Sequence, residues 1–156
     1  MVAVGDDDLL ILECLLDGGD CVILARGGQA HGYALYLHDG VPHFAVRVFG
    51  TLRIVKAKSK VVGRWARIAG QIRGFPTTIR IFVNGKLEGE EKVPYFIAAD
   101  PLEPMQIGAD EGDPVGDYPK GFPKFRGLIG EVKVWSGEVR LRGREADRRR
   151  GWPAKG

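Results

Sequence analysis

The 156-residue chain has few cysteines, few histidines and no long apolar run, and each scarcity excludes a class of protein. Its two cysteines, Cys14 and Cys21, are too few for a disulfide-rich scaffold, and we expect them to be buried free thiols. Acidic residues interrupt the most apolar stretch, residues 9–25, so neither a transmembrane helix nor a membrane partner is predicted. Residues 1–8 lack the basic and apolar regions of a signal peptide, and none is predicted.

What the sequence does contain is many turn residues and an uneven charge. Its 23 glycines and 9 prolines are scattered between short apolar runs, which is typical of short strands and tight turns. Residues 138–156 carry seven basic and three acidic residues, and the remainder carries 16 basic and 17 acidic ones. This predicts a near-neutral domain of residues 1–137 and a basic, flexible tail of residues 138–156. A near-neutral body does not favour nucleic-acid binding.

Ten short runs of β-forming residues, separated by Gly, Pro, Asn or Asp, predict an all-β antiparallel sandwich or barrel. The predicted strands are residues 9–16, 20–26, 33–38, 41–49, 52–57, 65–73, 77–83, 86–93, 105–107 and 125–135. Asn84-Gly85 is a strong hairpin signal, because a tight I′ turn needs positive φ at both central residues. A strict two-residue turn would place Glu88 and Glu90 on the apolar face of the preceding strand, so we expect a bulge or a longer loop there.

The turn Asp39-Gly40 fixes the register of another hairpin and the face on which each side chain lies. The face expected in the core carries Tyr33, Leu35, Leu37, Phe44, Val46 and Val48. The opposite face, which we expect to be exposed, carries Tyr36, His38, His43, Ala45 and Arg47. Aromatic rings stack on sugars and polar groups meet hydroxyls, so Tyr36, His38, His43 and Arg47 are candidate glycan ligands. The alternative is an ordinary solvated strand face.

The longest predicted loop, residues 108–124, contains carboxylates that could converge on a hard cation. Asp110, Asp113 and Asp117 are the candidate calcium ligands, because calcium prefers oxygen donors supplied by flexible loops. The loop has no EF-hand pattern, and the alternative is that these aspartates serve as turn formers.

The order of several motifs resembles a known family. A strand that begins at Trp65 is followed by Val83-Asn84-Gly85 and, much later, by the glycine-bounded stretch FRGLIGEVKV at residues 125–134. This order resembles the laminin G-like, concanavalin A-like lectin/glucanase domains. Residues 22–37 and 106–119 are similar to the β-sandwich domain at the C-terminus of many arylsulfatase-type proteins. The resemblance extends over residues 9–135.

The resemblance implies a jelly-roll sandwich of two antiparallel sheets, in which Trp65 is largely buried. It also implies a non-catalytic, lectin-like carbohydrate-binding or accessory module that is associated with a sulfatase-type enzyme. The expected partners are then a glycan and a neighbouring catalytic domain or protein. The alternative is a structural or protein-interaction sandwich without a glycan site.

The catalytic patterns of such relatives are absent from the chain. Retaining glycosidases need two carboxylates about 5 Å apart, and Glu88, Glu90 and Glu91 do not follow the glucanase pattern E-x-D-x-x-E. The sulfatase nucleophile pattern C-x-[PA]-x-R is also missing, and the histidines lack zinc-ligand spacing. We therefore expect a protein that is not an enzyme and that has no cofactor apart from the candidate calcium ion.

Overall fold

The computed structural model describes residues 7–16, 19–28, 30–73, 77–93, 105–120 and 122–136, which form ten strands. In chain order these are β1 (Asp7–Leu16), β2 (Cys21–Gly27), β3 (Gly32–His38), β4 (Val41–Val48), β5 (Thr51–Lys56), β6 (Trp65–Arg73), β7 (Thr78–Val83), β8 (Lys86–Lys92), β9 (Met105–Ile107) and β10 (Gly127–Ser136). Every predicted strand is present, with ends that differ by two residues or fewer. The predicted basic tail, residues 138–156, lies outside the described residues.

The strands form two packed antiparallel sheets of five strands each, consistent with a jelly roll. The first sheet has the order β10-β1-β6-β7-β8, and the second has the order β5-β4-β3-β2-β9. The prediction of an all-β antiparallel sandwich is therefore confirmed. Cys14 lies in the first sheet and Cys21 in the second, and both are buried thiols that form no disulfide, as expected.

The register predicted for the β3–β4 hairpin is confirmed. Asp39 and Gly40 both have positive φ, 52° and 78°, and Tyr36 lies opposite His43. The six residues expected on the core face belong to the main core cluster, and each is at most 1% exposed. The turn type and the two-residue period of the strands thus determine which side chains of β3 and β4 face the core.

The two sheets approach each other closely at a glycine of β6. The ring of Phe44, on β4 of the second sheet, is fully buried and lies against Gly70. A Cβ atom on Gly70 would be 2.7 Å from that ring, which is closer than real Cβ contacts. Glycine at this position therefore lets an aromatic ring fill the space between the sheets.

The bulge predicted in the β7–β8 hairpin is confirmed. The register shifts between Ile81 and Phe82, which leaves Glu88 as the extra residue of β8. The shift places Gly89 against β5, where a Cβ atom would lie 2.6 Å from the carbonyl oxygen of Lys56. A glycine therefore occupies the tight core position, and the glutamate is turned away from the core.

Candidate functional site

The β3–β4 face predicted to bind a glycan is covered, so the expectation that it is exposed is wrong. Tyr36 is 1% exposed and His43 is 5% exposed. The side chains that cover them come from the loop between β9 and β10, which we call the covering loop (residues 108–124, of which 121 is not described). The same loop was predicted to bind calcium.

The covering loop forms a second apolar cluster on the outer face of the second sheet. Val115, Tyr118 and Phe122 pack there on a floor of small residues, which are Val22, Ala25, Ala34 and Ala45. The Tyr118 ring centroid lies 4.8 Å from that of Tyr36 and 5.0 Å from that of Phe122. Small side chains on the strands thus leave room for a layer of aromatic rings above them.

Two tyrosine–aspartate hydrogen bonds hold the covering loop in place. The hydroxyl of Tyr36 donates to Asp117 Oδ1 at 2.7 Å, and that of Tyr118 donates to Asp110 Oδ2 at 2.5 Å. Burial, reinforced by the neighbouring carboxylate, raises the pKa of both tyrosines above their ordinary range. Both phenols therefore remain protonated donors, and the two aspartates are engaged as their acceptors.

The other two predicted glycan ligands differ in accessibility. Arg47 Nε donates to the carbonyl oxygen of Val115 at 2.6 Å, and its two terminal nitrogens donate to Gly116 and Gly50 at 3.4 Å and 3.2 Å. His38 is exposed at the opposite end of the hairpin, with Nδ1 3.4 Å from Asp20 and Nε2 3.7 Å from Asp39. The four candidates therefore do not form one open site.

His43 is held neutral beneath the loop. Burial lowers its pKa, and its Nδ1 hydrogen bonds to the carbonyl oxygen of Val41 at 2.8 Å. The Nδ1 atom therefore acts as a donor in a packed environment, and it is not presented to a ligand.

The three aspartates predicted as calcium ligands are not brought together. Asp110 and Asp117 accept the tyrosine hydrogen bonds, whereas Asp113 is exposed. Within the described ranges, no three His, Cys, Asp or Glu side chains form a group that could hold a metal ion. The interpretation of these aspartates as turn and loop residues fits the geometry of Asp110, which also accepts the Val115 N–H at 3.1 Å.

The carboxylates closest to a glucanase pattern are engaged in structural contacts. The Glu88 carboxylate accepts hydrogen bonds from the N–H groups of Lys58 and Ser59, both at 2.9 Å, and from the Ser59 hydroxyl at 2.6 Å. Glu90 forms an ion pair with Arg80 across the β7–β8 pair. Neither carboxylate is placed as an acid or a nucleophile facing an open site.

The hydrogen bonds that Glu88 accepts anchor the loop of residues 56–64, which we call the basic loop. This loop was not predicted from the sequence as a feature. Its cationic residues are all exposed, and they are Lys56, Lys58, Lys60 and Arg64. Ala57 and Val61 point inward and are 8% and 0% exposed. The available signal was the alternation K-A-K-S-K, which was interpreted only as the end of a strand.

Replacing Glu88 with glutamine should lower the free energy of unfolding by about 1 kcal/mol at pH 7, because the basic loop loses part of its anchor. This value is reduced to account for the partial exposure of Glu88. Burial raises the pKa of Glu88, but the hydrogen bonds from Ser59 and Lys58 together bring it below its ordinary 4.5. Because the pKa of Glu88 is lower in the folded than in the unfolded state, the stabilisation that its carboxylate provides is complete above the ordinary pKa. That stabilisation is lost as the pH falls through the folded-state pKa.

Urea unfolding at pH 7 and at pH 3 measures this effect. The stability difference between wild type and Glu88→Gln should be smaller at pH 3. Glu91→Gln, which removes an exposed carboxylate from the same strand, is the control and should change stability little at either pH. A Glu88→Gln difference that is equal at the two pH values would contradict the anchoring role.

Trp65 directly follows the basic loop, and the expectation that it is buried is wrong, since its side chain is 46% exposed. Ala66 and Ile68 occupy the core face of β6, so the alternation of the strand turns Trp65 outward. Across β1 it lies in register with Leu15 and, beyond Leu15, with Leu128 of β10, which is 58% exposed. The outer face of the first sheet therefore presents an indole at the end of an apolar row.

The comparisons with known proteins agree with this architecture. The Laminin_G_3 profile, described as concanavalin A-like lectin/glucanases superfamily, matches residues 16–140. No curated protein matches the sequence. Among the described residues, no helix is long and apolar enough to cross a membrane.

Solved structures share the fold at low sequence identity. Domains LG4-5 of the mouse laminin α1 chain give a TM-score of 0.67 at 18% identity, with 86% of this chain and 37% of that chain covered. The CBM40 domain of the Ruminococcus gnavus IT-sialidase, bound to α2,3-sialyllactose, gives 0.66 at 15% identity, with 85% and 77% covered. The SAP-like pentraxin of Limulus polyphemus gives 0.60 at 13% identity, with 84% and 64% covered.

This chain thus spans little more than a third of the laminin fragment that it matches. The profile match covers most of the sequence, and the ten strands form the two sheets expected of such a domain. The chain belongs to the Laminin_G_3 family of the concanavalin A-like lectin/glucanase superfamily.

Proposed function

We propose that this domain is a non-catalytic glycan-binding module whose contact surface is centred on Trp65. The observation that carries the proposal is a half-exposed indole at the start of a β-strand, directly after a basic loop. A strand fixes the backbone of Trp65, so the ring is presented at little entropic cost on binding. We propose this surface instead of the β3–β4 face, because the covering loop buries Tyr36 and His43 there.

The chemistry of the surface suits a sugar. An indole offers a large apolar face on which the C–H groups of a pyranose ring stack, and neighbouring polar side chains meet its hydroxyls. The CBM40 domain bound to sialyllactose has the same fold, which supports a glycan as the ligand class to test first. A shallow surface buries little area, so we expect dissociation constants in roughly the micromolar-to-millimolar range.

The carboxylates described above support a binding role without catalysis. Backbone N–H groups engage Glu88 and help to lower its pKa, and Glu90 forms an ion pair with Arg80. A glycosidase acid instead needs a raised pKa and a second carboxylate nearby.

Replacing Trp65 with alanine should weaken glycan binding roughly tenfold or more, because stacking contributes about 1 kcal/mol or more. Titration of neutral and acidic oligosaccharides by calorimetry, together with quenching of tryptophan fluorescence, measures the loss. Phe49→Ala is a matched control, because Phe49 is 69% exposed and lies on the β4–β5 turn, at the other end of the sandwich. Equal weakening by the two variants, or none by Trp65→Ala, would contradict the proposal.

The same variant tests whether the Trp65 side chain lies at the surface and not in the core. A side chain that is half exposed should cost about 1 kcal/mol of stability when truncated, rather than the several kcal/mol expected of a core tryptophan. Thermal unfolding of wild type and Trp65→Ala reports this value and shows whether a loss of binding is a loss of folding.

The covering loop favours a second candidate function, a structural or protein-interaction domain without a glycan site. Tyr36 and His43 are closed off by a layer of protein, as they would be in a module that only packs against a neighbour. Failure of every oligosaccharide to bind wild type would make this the better proposal. The predicted association with a sulfatase-type catalytic domain is a further proposal, which co-purification with arylsulfatase activity would support.

A further inference from the structure

The basic loop concentrates positive charge on one exposed segment. Four of its nine residues are cationic and none is acidic, although the body of the chain is near neutral. All four cationic residues are exposed, and the loop ends directly at Trp65. A segment with four exposed cationic residues and no acidic one therefore adjoins Trp65 in the chain.

The loop is held in one conformation by its backbone. The N–H groups of Ala57 and Val61 donate to the carbonyl oxygens of Pro42 and Gly40 at 2.9 Å and 3.0 Å. Between these two anchors, the Glu88 carboxylate accepts hydrogen bonds from the N–H groups of Lys58 and Ser59. With Val61 fully buried, the lysine side chains extend from a fixed base rather than from a mobile loop.

The lysines of the loop are not neutralised by neighbouring acids. Within the described residues, no carboxylate forms an ion pair with Lys56, Lys58 or Lys60, whereas Arg80 and Lys124 are each paired with a glutamate. The Glu88 carboxylate is directed at the loop, and it accepts hydrogen bonds from N–H and hydroxyl groups there. The acids at the adjoining turn, Asp20 and Asp39, lie next to His38.

Resting on the proposed function, we infer that the ligand class is an anionic polysaccharide that carries repeated sulfate or carboxylate groups. Its acid groups lie along Lys58, Lys60 and Arg64, and one of its sugar rings stacks on Trp65. Exposed ammonium groups attract such groups over about 8 Å at physiological salt. A nucleic acid is a poorer fit, because one short loop on a near-neutral body lacks the basic stripe that such ligands need.

The test compares Lys58→Gln/Lys60→Gln with a matched variant that loses the same charge elsewhere. Lys92→Gln/Lys120→Gln is that control, since both lysines are exposed and lie outside the basic loop. The probes are a sulfated, a polyuronate and a neutral hexasaccharide, together with a short DNA duplex. Binding is measured at about 50 mM and 200 mM salt, where screening of exposed charges differs clearly.

We expect wild type to bind the acidic hexasaccharides more tightly than the neutral one, with an affinity that falls as salt rises. The loop variant should lose roughly five- to tenfold for the acidic probes, as exposed charge contacts are individually weak. It should keep its affinity for the neutral probe and lose most of its salt dependence, and the control variant should resemble wild type.

Three results would overturn the inference, and they are separable from failure of the proposed function. Equal loss in the loop and control variants would show that net charge matters rather than this loop. Equal binding of acidic and neutral probes by wild type would refute the ligand class but leave Trp65 as the sugar contact. Tighter binding of the duplex than of the acidic hexasaccharides would assign the loop to nucleic acids. The proposed function itself is refuted by different results: no binding of any oligosaccharide by wild type, no weakening by Trp65→Ala, or equal weakening by Trp65→Ala and Phe49→Ala.

Discussion

Replacing Tyr118 with alanine should destabilise the domain by about 3 kcal/mol and open the outer face of the second sheet. The side chain is 5% exposed, and its ring lies between those of Tyr36 and Phe122. Removing it leaves a cavity in a layer of aromatic rings and takes the hydroxyl donor away from Asp110. Chemical denaturation followed by fluorescence measures the loss of stability.

Tyr118→Phe separates packing from hydrogen bonding. It keeps the ring and removes only the donor to a partly buried carboxylate, so the expected cost is about 1–2 kcal/mol. Tyr36 should become more accessible to solvent in the alanine variant than in the phenylalanine variant. If the alanine variant is as stable as wild type, the covering loop does not contribute to the folded core as described.

Replacing Gly70 with alanine should destabilise the sandwich by about 2 kcal/mol, although alanine is ordinarily favourable in place of glycine. The added Cβ atom would lie 2.7 Å from the Phe44 ring, which is fully enclosed and has little space to move. The expected result is therefore overpacking between the two sheets, measured as a lower denaturation midpoint with an unchanged slope.

A second substitution tests whether that contact is the cause. Phe44→Leu removes ring atoms and should itself be destabilising, because it leaves space in the core. If Gly70→Ala acts through Phe44, the double variant should be more stable than the sum of the two single changes predicts. Simple additivity would show that the cost of Gly70→Ala has another origin.

Local sequence signals predicted the strands and hairpins well. The turns Asp39-Gly40 and Asn84-Gly85 both have positive φ at their two central residues, which these residue types tolerate. Once a turn is fixed, the two-residue period determines which side chains share a face, and so the core face of β3 and β4 was predictable. The bulge at Glu88 was predictable because strict alternation would have placed charge in the core.

The state of the opposite face was not predictable in the same way. Whether Tyr36 is exposed depends on a loop some eighty residues later in the chain, and no local pattern reports such packing. Two signals were nevertheless present. Ala34 and Ala45 provide an unusually flat strand surface, and Val115 and Tyr118 are apolar or aromatic residues in a loop that was interpreted only through its aspartates.

For Trp65 the error is the opposite one, because it was expected to be buried and is exposed. The resemblance to a family predicted its burial, whereas the alternation of β6 itself assigns Ala66 and Ile68 to the core and Trp65 to the outside. The basic loop gives no separate sequence signal, because its alternating lysines continue the pattern of the preceding strand. The residues that carry the functional proposal thus lie in the loop between β5 and β6 and at the first position of β6.

The single extra residue in β8 links the proposed ligand surface to the architecture of the sandwich. It turns Glu88 toward the basic loop and sets Gly89 beneath Lys56, so one register shift both fixes the loop and closes the edge of the core. A deletion of one residue in this hairpin would restore regular pairing and remove the carboxylate from the loop, without changing Trp65 or the cationic residues of the proposed ligand surface. A change in the length of β8 is therefore expected to alter the conformation of the basic loop while every residue of the proposed ligand surface stays the same.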